Sequence, residues 1–367
     1  MSLFSLPISL VQNKLVRYPG GRELDRFRGV TPPVDDGRPE AWVGSTVTVL
    51  NAGKGEVGIN EGRAGCVLPD GREMLLRDAI LLDADGALGK EHIRRYGTEP
   101  AVLLKLLDAK NQLGLQCHPT PEYALKHWGS QYGKAECWYI LSLREDTAQP
   151  PYVLLGFKEG ITREDFAALY ERGDIRNMEK LLHKITVRPG EMYWVGPGTP
   201  HAVGAGVFCI ETQEPSDITV TYRKLSAYDP DATPGQEAAY RERLLGAYAY
   251  EGCGMEENLK RRRIEPIELS RARDGMSCER LLIGAAQTPC FAMTRIEAYG
   301  PFMPGYTGRC AILIVTEGTG RLECKGGRFD VKKGDEVFIG AAVENLTYVP
   351  AEGHMCVIAA HPPGTCW

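Results

Sequence analysis

No run of this chain is apolar and uncharged for long enough to cross a bilayer. That excludes a helical membrane protein. An excess of positive charge is also missing: 43 Lys and Arg face 48 Asp and Glu, for a formal net charge of −5. A nucleic-acid groove as the main surface is therefore not expected. The sole basic cluster, K-R-R-R at 260–263, reads as the decorated end of a helix. C-x-x-C and C-x-x-H pairs are absent, and the eleven cysteines are scattered and odd in number. Cys117, Cys137, Cys209 and Cys310 sit in or beside apolar runs, where a free thiol behaves as a small buried hydrophobe. The first fourteen residues have neither the basic start nor the long apolar middle of a secretory signal. Free thiols in a reducing cytoplasm are the expectation.

What is present is an ordinary globular composition, 43% hydrophobic and 25% charged over 367 residues, ample for two domains. Short apolar runs bounded by Gly and Pro recur along most of the chain, and strands at this spacing predict a sandwich or barrel. Residues 40–50 read as a strand carrying Glu40 and Trp42. Residues 51–71 read as Gly-rich loops and hairpins, and 74–96 as helix. Residues 100–109 read as a buried strand. A helical insert is expected at about 162–183, opening on a Thr162–Asp165 capping pattern in which Asp165 stands where Glu or Gln is preferred. His92 and His183 are expected on helices, without a functional role. Residues 216–223 read as a strand on which Asp217 and Arg223, six apart, share a face. The texture then turns helical over 234–262, read as a connector. A loose repeat links V-R-P-G-E-M-Y-W-V-G-P at 187–197 with V-K-K-G-D-E-V-F-I-G-A at 331–341. The first copy leads to His201, and the second leads to A-A-V-E-N with no histidine. The expected division is a metal-bearing domain over 1–233, the connector over 234–262, and a C-terminal domain without ligands over 263–367. The fold class is mainly β: two jelly-roll sandwiches with helical insertions.

The chemistry concentrates in residues 113–141. Gln116 and His118 stand two apart, as do Lys134 and Glu136. On strands, side chains two apart point the same way, so two neighbouring strands would aim an amide, an imidazole, an ammonium and a carboxylate into one space. Alone, Q-x-H is common and K-x-E usually marks a solvated face. His201, delivered after a Gly- and Pro-rich turn, changes that balance. Gln116, His118, Glu136 and His201 form a four-member N/O set suited to a divalent metal of the zinc type.

At these residues the chain resembles the type I phosphomannose isomerases (mannose-6-phosphate isomerases), metalloenzymes of the cupin superfamily. The resemblance rests on L-Q-C-H-P at 115–119, Y-A at 123–124, G-K-A-E-C-W-Y-I-L at 133–141, P-G-T-P-H-A-V-G at 197–204, I-E at 210–211 and S-D at 216–217. It covers about residues 20–223, and more loosely the C-terminal part. It implies reversible conversion of mannose 6-phosphate to fructose 6-phosphate, with one zinc ion per chain held by Gln116, His118, Glu136 and His201. It also implies Lys134, Glu211 and Arg223 as catalytic residues, Asp217 and Trp42 as substrate-binding ones, and a small sugar phosphate as partner, with no nucleic acid or membrane. Two positions depart from the family pattern. The arginine expected four residues after Asp217 is Thr221, with Arg223 two residues on, and the acids that often follow H-P are Thr120 and Pro121. The alternatives are a cupin isomerase or epimerase for another sugar or sugar phosphate, and a non-catalytic sugar-binding cupin.

Overall fold

A computed structural model describes residues 2–49, 60–305 and 308–364. Part of the loop region expected over 51–71 lies outside the described residues. The rest of it includes one arm of a hairpin, in which Gly65–Val67 pairs antiparallel with Glu73–Leu75. The chain is mainly β with antiparallel sheets, and it separates into two compact units.

The first unit comprises Met1–Asp108, Ile210–Pro215 and Glu265–Trp367. A nine-stranded antiparallel sheet runs through it, in the order Ile267–Arg271, Cys278–Ile283, Ala292–Ala298, Met355–His361, Ala311–Glu317, Glu336–Ile339, Ile8–Val11, Gly65–Val67 and Glu73–Leu75. A second sheet has three strands: Gly327–Lys332, Thr319–Cys324 and Thr347–Pro350. Leu313, Val337 and Val357 of the large sheet and Leu322, Val331 and Tyr348 of the small one share a single apolar cluster. Two sheets closing on one core make the expected sandwich. The linear boundaries expected at 233 and 263 do not describe these units. Ile8 pairs with Phe338, so the first strand of the chain completes a sheet built from its last hundred residues. Strand pairing is non-local, and sequence order does not reveal it.

The second unit comprises Ala109–Cys209 and Ser216–Ile264. One of its sheets has the order Val220–Thr221, Gln116–Cys117, His201–Val203, Tyr152–Phe157 and Leu182–Thr186. In the other, Met192–Val195 pairs antiparallel with Arg263–Ile264 on one side and Glu136–Leu143 on the other. The helical insert is present as Arg163–Arg172 and Ile175–Lys180. Its capping box closes with Asp165 after all: Asp165 N donates to Thr162 Oγ1 at 3.1 Å, and Thr162 N to Asp165 Oδ2 at 3.0 Å. His183 falls on the strand Leu182–Thr186, buried, with Nε2 2.8 Å from the Cys253 carbonyl. His92 is on the helix Lys90–Tyr96, as expected.

The stretch read as a connector is instead part of this second unit. Its helices are Pro234–Gly246 and Met255–Arg262. Leu244, Leu245 and Tyr248 pack in one cluster with Cys117, Phe157, Phe166 and Val220. A helical texture identifies a helix without saying what its apolar face covers. The repeat is real in the backbone. Gly190 and Gly334 turn at φ 88° and 90° ahead of the strands Met192–Val195 and Glu336–Ile339. All ten described cysteines are free thiols, and no helix among the described residues is long and apolar enough to cross a membrane.

Candidate metal centre

His118, Glu136 and His201 meet inside the second unit, with one donor atom from each lying within 4.8 Å of the others. The local sequence explains the placement. His201 opens the strand that follows the 196–200 turn, and it sits opposite Gln116 in the antiparallel register, so both side chains lie on one face. Gly198 N donates to the His118 carbonyl at 2.6 Å, tying that turn to the Q-x-H segment. Glu136 begins its strand opposite Val195, in the other sheet. The expectation of two neighbouring strands is thus corrected. The Q-x-H and K-x-E segments face one another from two sheets of a sandwich, which brings side chains together across the interior instead of along a surface. Lys134 precedes the strand, held by its N–H to the Pro119 carbonyl at 3.1 Å. Gly133 is required there: a Cβ would stand 2.6 Å from the Pro119 oxygen and 2.7 Å from the Pro121 nitrogen.

The hydrogen bonds fix the state of both imidazoles. His118 Nδ1 is 3.0 Å from the Ile218 carbonyl, and His201 Nδ1 is 2.9 Å from the Thr199 carbonyl. A carbonyl only accepts, so each Nδ1 carries the proton and each Nε2 turns a lone pair inward. His118 Nε2 lies 3.1 Å from Glu136 Oε2, and His201 Nε2 lies 3.3 Å from Glu136 Oε1. Lys134 Nζ donates to Glu136 Oε2 at 2.7 Å and reaches His118 Nε2 at 2.9 Å. Trp138 packs edge-on against the His201 ring at 5.5 Å.

The donor set fits a divalent cation. Glu136 and His201 are 0% exposed, and both Glu136 Oε1 and His201 Nε2 lack a hydrogen-bond partner. Two acceptors facing each other in a dry interior are unfavourable unless a cation joins them. Their 3.3 Å separation matches the roughly 3.3 Å edge expected of a tetrahedron with bonds of about 2.0–2.1 Å. Electrostatics favour the ligand forms. Burial, reinforced by the Lys134 charge, brings the His118 imidazole down to about 4, and burial also lowers His201. Burial opposes ionisation of Glu136, but the Lys134 ammonium outweighs it and holds the carboxyl well below its usual range.

Glu211 and Trp42 are buried on the strands Val207–Gln213 and Glu40–Val43. Both belong to the first unit. There Glu211 pairs with Lys105 at 3.1 Å, and the Lys105 ammonium sits over the Trp42 ring at 4.7 Å. Trp42 Nε1 donates to Glu40 Oε2 at 2.9 Å, and Glu40 pairs with Arg17 at 3.4 Å. Sequence reasoning missed Lys105 and Arg17. The available signal was one lysine between two pairs of leucines, L-L-K-L-L at 103–107, in a strand that is buried throughout. Asp217 is half-buried, one residue before the Ile218 carbonyl that receives His118. Arg223 is exposed, and its guanidinium makes no hydrogen bond or ion pair among the described residues. The strand expected over 216–223 is reduced to Val220–Thr221, so the alternation that was to align Arg223 with Asp217 has too little strand to act through.

Glu40 yields a pH prediction. Burial alone would raise its pKa, but Arg17 and Lys105 outweigh burial and take it from 4.5 to about 2. A depressed folded-state value stabilises fully above the unfolded value, and that stability is lost as pH falls from about 4.5 towards 2. Its contribution is on the order of 3 kcal/mol. Urea unfolding across pH 5 to 2.5 is expected to show a shallower acid decline for Glu40→Gln than for the wild type. Parallel curves would remove this network from the stability of the first unit.

No family model matches the chain. The mannose-6-phosphate isomerase of Bacillus subtilis (strain 168) is 38% identical over 135 residues, which span 37% of this chain and 39% of that relative. The mannose-6-phosphate isomerase of Streptococcus mutans is 29% identical over 280 residues, 74% of this chain and 78% of the relative. Among solved structures, the mannose 6-phosphate isomerase from Bacillus subtilis superposes with a TM-score of 0.71 at 21% identity, covering 97% of this chain and 99% of that one. A mutant phosphomannose isomerase from Salmonella typhimurium gives 0.70 at 18% identity, covering 96% and 98%. The chain is thus a sequence relative of the mannose-6-phosphate isomerases, built on the cupin fold of the phosphomannose isomerases.

Proposed function

We propose that the protein is a metal-dependent aldose–ketose isomerase that interconverts mannose 6-phosphate and fructose 6-phosphate. The observation that carries this reading is the buried His118–Glu136–His201 cluster with Lys134 against it. Named relatives with the same activity add to it. Gln116, His118, Glu136 and His201 would hold the ion. Zinc is the ion proposed, since two neutral imidazoles, a carboxylate and an amide oxygen are hard-to-borderline donors. When bound, it supplies Lewis-acid polarisation of the sugar oxygens.

The reaction moves one proton from C2 of the aldose to C1, with the oxygens exchanging their hydroxyl and carbonyl roles through an enediol-like state. Nothing is added or lost. Lys134 is a dry, buried cation beside the cluster, suited to balance negative charge as it develops on the enediol oxygens. Glu211 is the candidate proton carrier between the two carbons, as a carboxylate can take and return a proton. Arg223 is proposed for the phosphate end, where a guanidinium makes paired hydrogen bonds to oxyanions. Asp217 and Trp42 are the proposed sugar contacts. The proposed setting is the cytoplasm, consistent with the free thiols.

A coupled assay for fructose 6-phosphate tests the reading. Activity is expected to vanish on exhaustive chelation and to return with one equivalent of zinc. Metal binding without turnover of mannose 6-phosphate would reject the substrate assignment. The exposed Arg223 then favours the second reading, a related cupin isomerase or epimerase for a different sugar phosphate.

A further inference from the structure

We infer that Arg262 is a positioning residue for His201, acting through Thr199; this rests on the reading of the cluster as a metal centre. His201 can present Nε2 to the cluster only while its Nδ1–H keeps the Thr199 carbonyl, 2.9 Å away. That carbonyl belongs to a turn closed by Thr199 N on the Gly196 oxygen at 3.1 Å. The Thr199 side chain is not idle. Its Oγ1 accepts from Arg262 Nη1 at 2.9 Å. Arg262 is itself oriented by Asn258, whose Oδ1 accepts from Arg262 Nε at 3.0 Å.

The same Asn258 grips the other side of His201. Its Nδ2 donates to the Leu155 carbonyl at 3.0 Å, and Leu155 is the residue paired with His201 across the ladder. Asn258 is 0% exposed, so both of its bonds are made away from water. Gly156 makes room for it: at φ +78°, a Cβ there would stand 2.5 Å from Asn258 Oδ1. Gly156 N in turn holds the Pro200 carbonyl at 2.9 Å. The last turns of the helix Met255–Arg262 therefore clamp the turn before His201 and the strand beside it. The run K-R-R-R at 260–263 is divided by this geometry. Arg261 pairs along the helix with Glu257 at 2.8 Å, while Arg262 points inward to Thr199.

Partners that orient a ligating histidine change metal affinity by about 10–100-fold when removed. An arginine acting one bond further out is expected at the low end. Cobalt(II) is the probe, because its d–d bands report the geometry of the ligands as well as occupancy. The wild-type full chain is titrated first. Arg262→Met and Thr199→Val are each expected to weaken cobalt(II) binding about tenfold and to alter the bands. Thr199→Ser and Arg262→Lys, which keep a bond, are expected to stay within about threefold of the wild type. Arg261→Met is the control and is expected to bind as the wild type does. Melting in excess chelator separates positioning from folding, and Thr199→Val, a near-isosteric change, is expected to melt with the wild type. Unchanged affinity and bands in both Arg262→Met and Thr199→Val overturn the inference, as does a loss in Arg262→Met with none in Thr199→Val. A wild-type chain that binds no cobalt(II) or zinc overturns the metal-centre reading itself, before any variant is compared.

Discussion

His201→Ala and Glu136→Gln are each expected to weaken metal binding by more than about 100-fold, beyond the upper end for an outer partner, and to take isomerase activity to background. Each changes a fully buried residue with one inward atom, Glu136 Oε1 or His201 Nε2, that has no hydrogen-bond partner. Glu136→Gln is the sharper variant, because it keeps the shape and removes the charge. That charge faces two imidazoles and the Lys134 ammonium within 3.3 Å. Without it, three nitrogen-bearing groups share a dry space with no anion to balance a divalent ion. Equilibrium dialysis with elemental analysis, alongside the coupled assay, reads both quantities. Near-stoichiometric zinc in either variant would show that the ion sits elsewhere.

Glu211→Ala is expected to destabilise the protein by about 3–5 kcal/mol, the cost of leaving a buried charge without its partner. Lys105 and Glu211 are 3% and 4% exposed and 3.1 Å apart. The truncation leaves the ammonium over the Trp42 ring, where a cation–π contact of about 1–2 kcal/mol and the charge of Glu40 return only part of that cost. The double change Lys105→Met with Glu211→Leu is expected to recover most of the loss, since apolar residues of similar volume often replace a buried ion pair without penalty. Denaturant unfolding of the four proteins of this cycle gives the coupling. A loss below about 1 kcal/mol in Glu211→Ala would mean that water reaches Lys105 and the pair behaves as a surface one.

Much of the candidate centre was legible because it is written in short-range rules. Q-x-H and K-x-E are two-residue spacings, P-G-T-P-H is a turn feeding a strand, and the Thr162 capping box is a three-residue relation. Each depends on local backbone geometry, so the chain order contains it. The missing histidine after the second repeat was legible for the same reason. Local rules failed where regularity was assumed beyond its length: 216–223 is mostly not strand, and the alignment of Arg223 with Asp217 went with it.

The sequence by itself determined the jelly-roll character, the helical inserts and the donor types of the cluster, because side-chain alternation, turn chemistry and ligand chemistry are properties of neighbouring residues. Only the tertiary structure decided that Ile8–Val11 joins Glu336–Ile339, that Glu136 meets the histidines from a facing sheet, that Lys105 is a buried partner of Glu211, and that Arg262 reaches Thr199. Apart from His118 and Glu136, 18 positions apart, these join residues 63 to 330 positions apart in the chain. Such pairings are selected by which apolar faces close on one another and which buried charges must be satisfied, and neither condition is visible in a window of sequence.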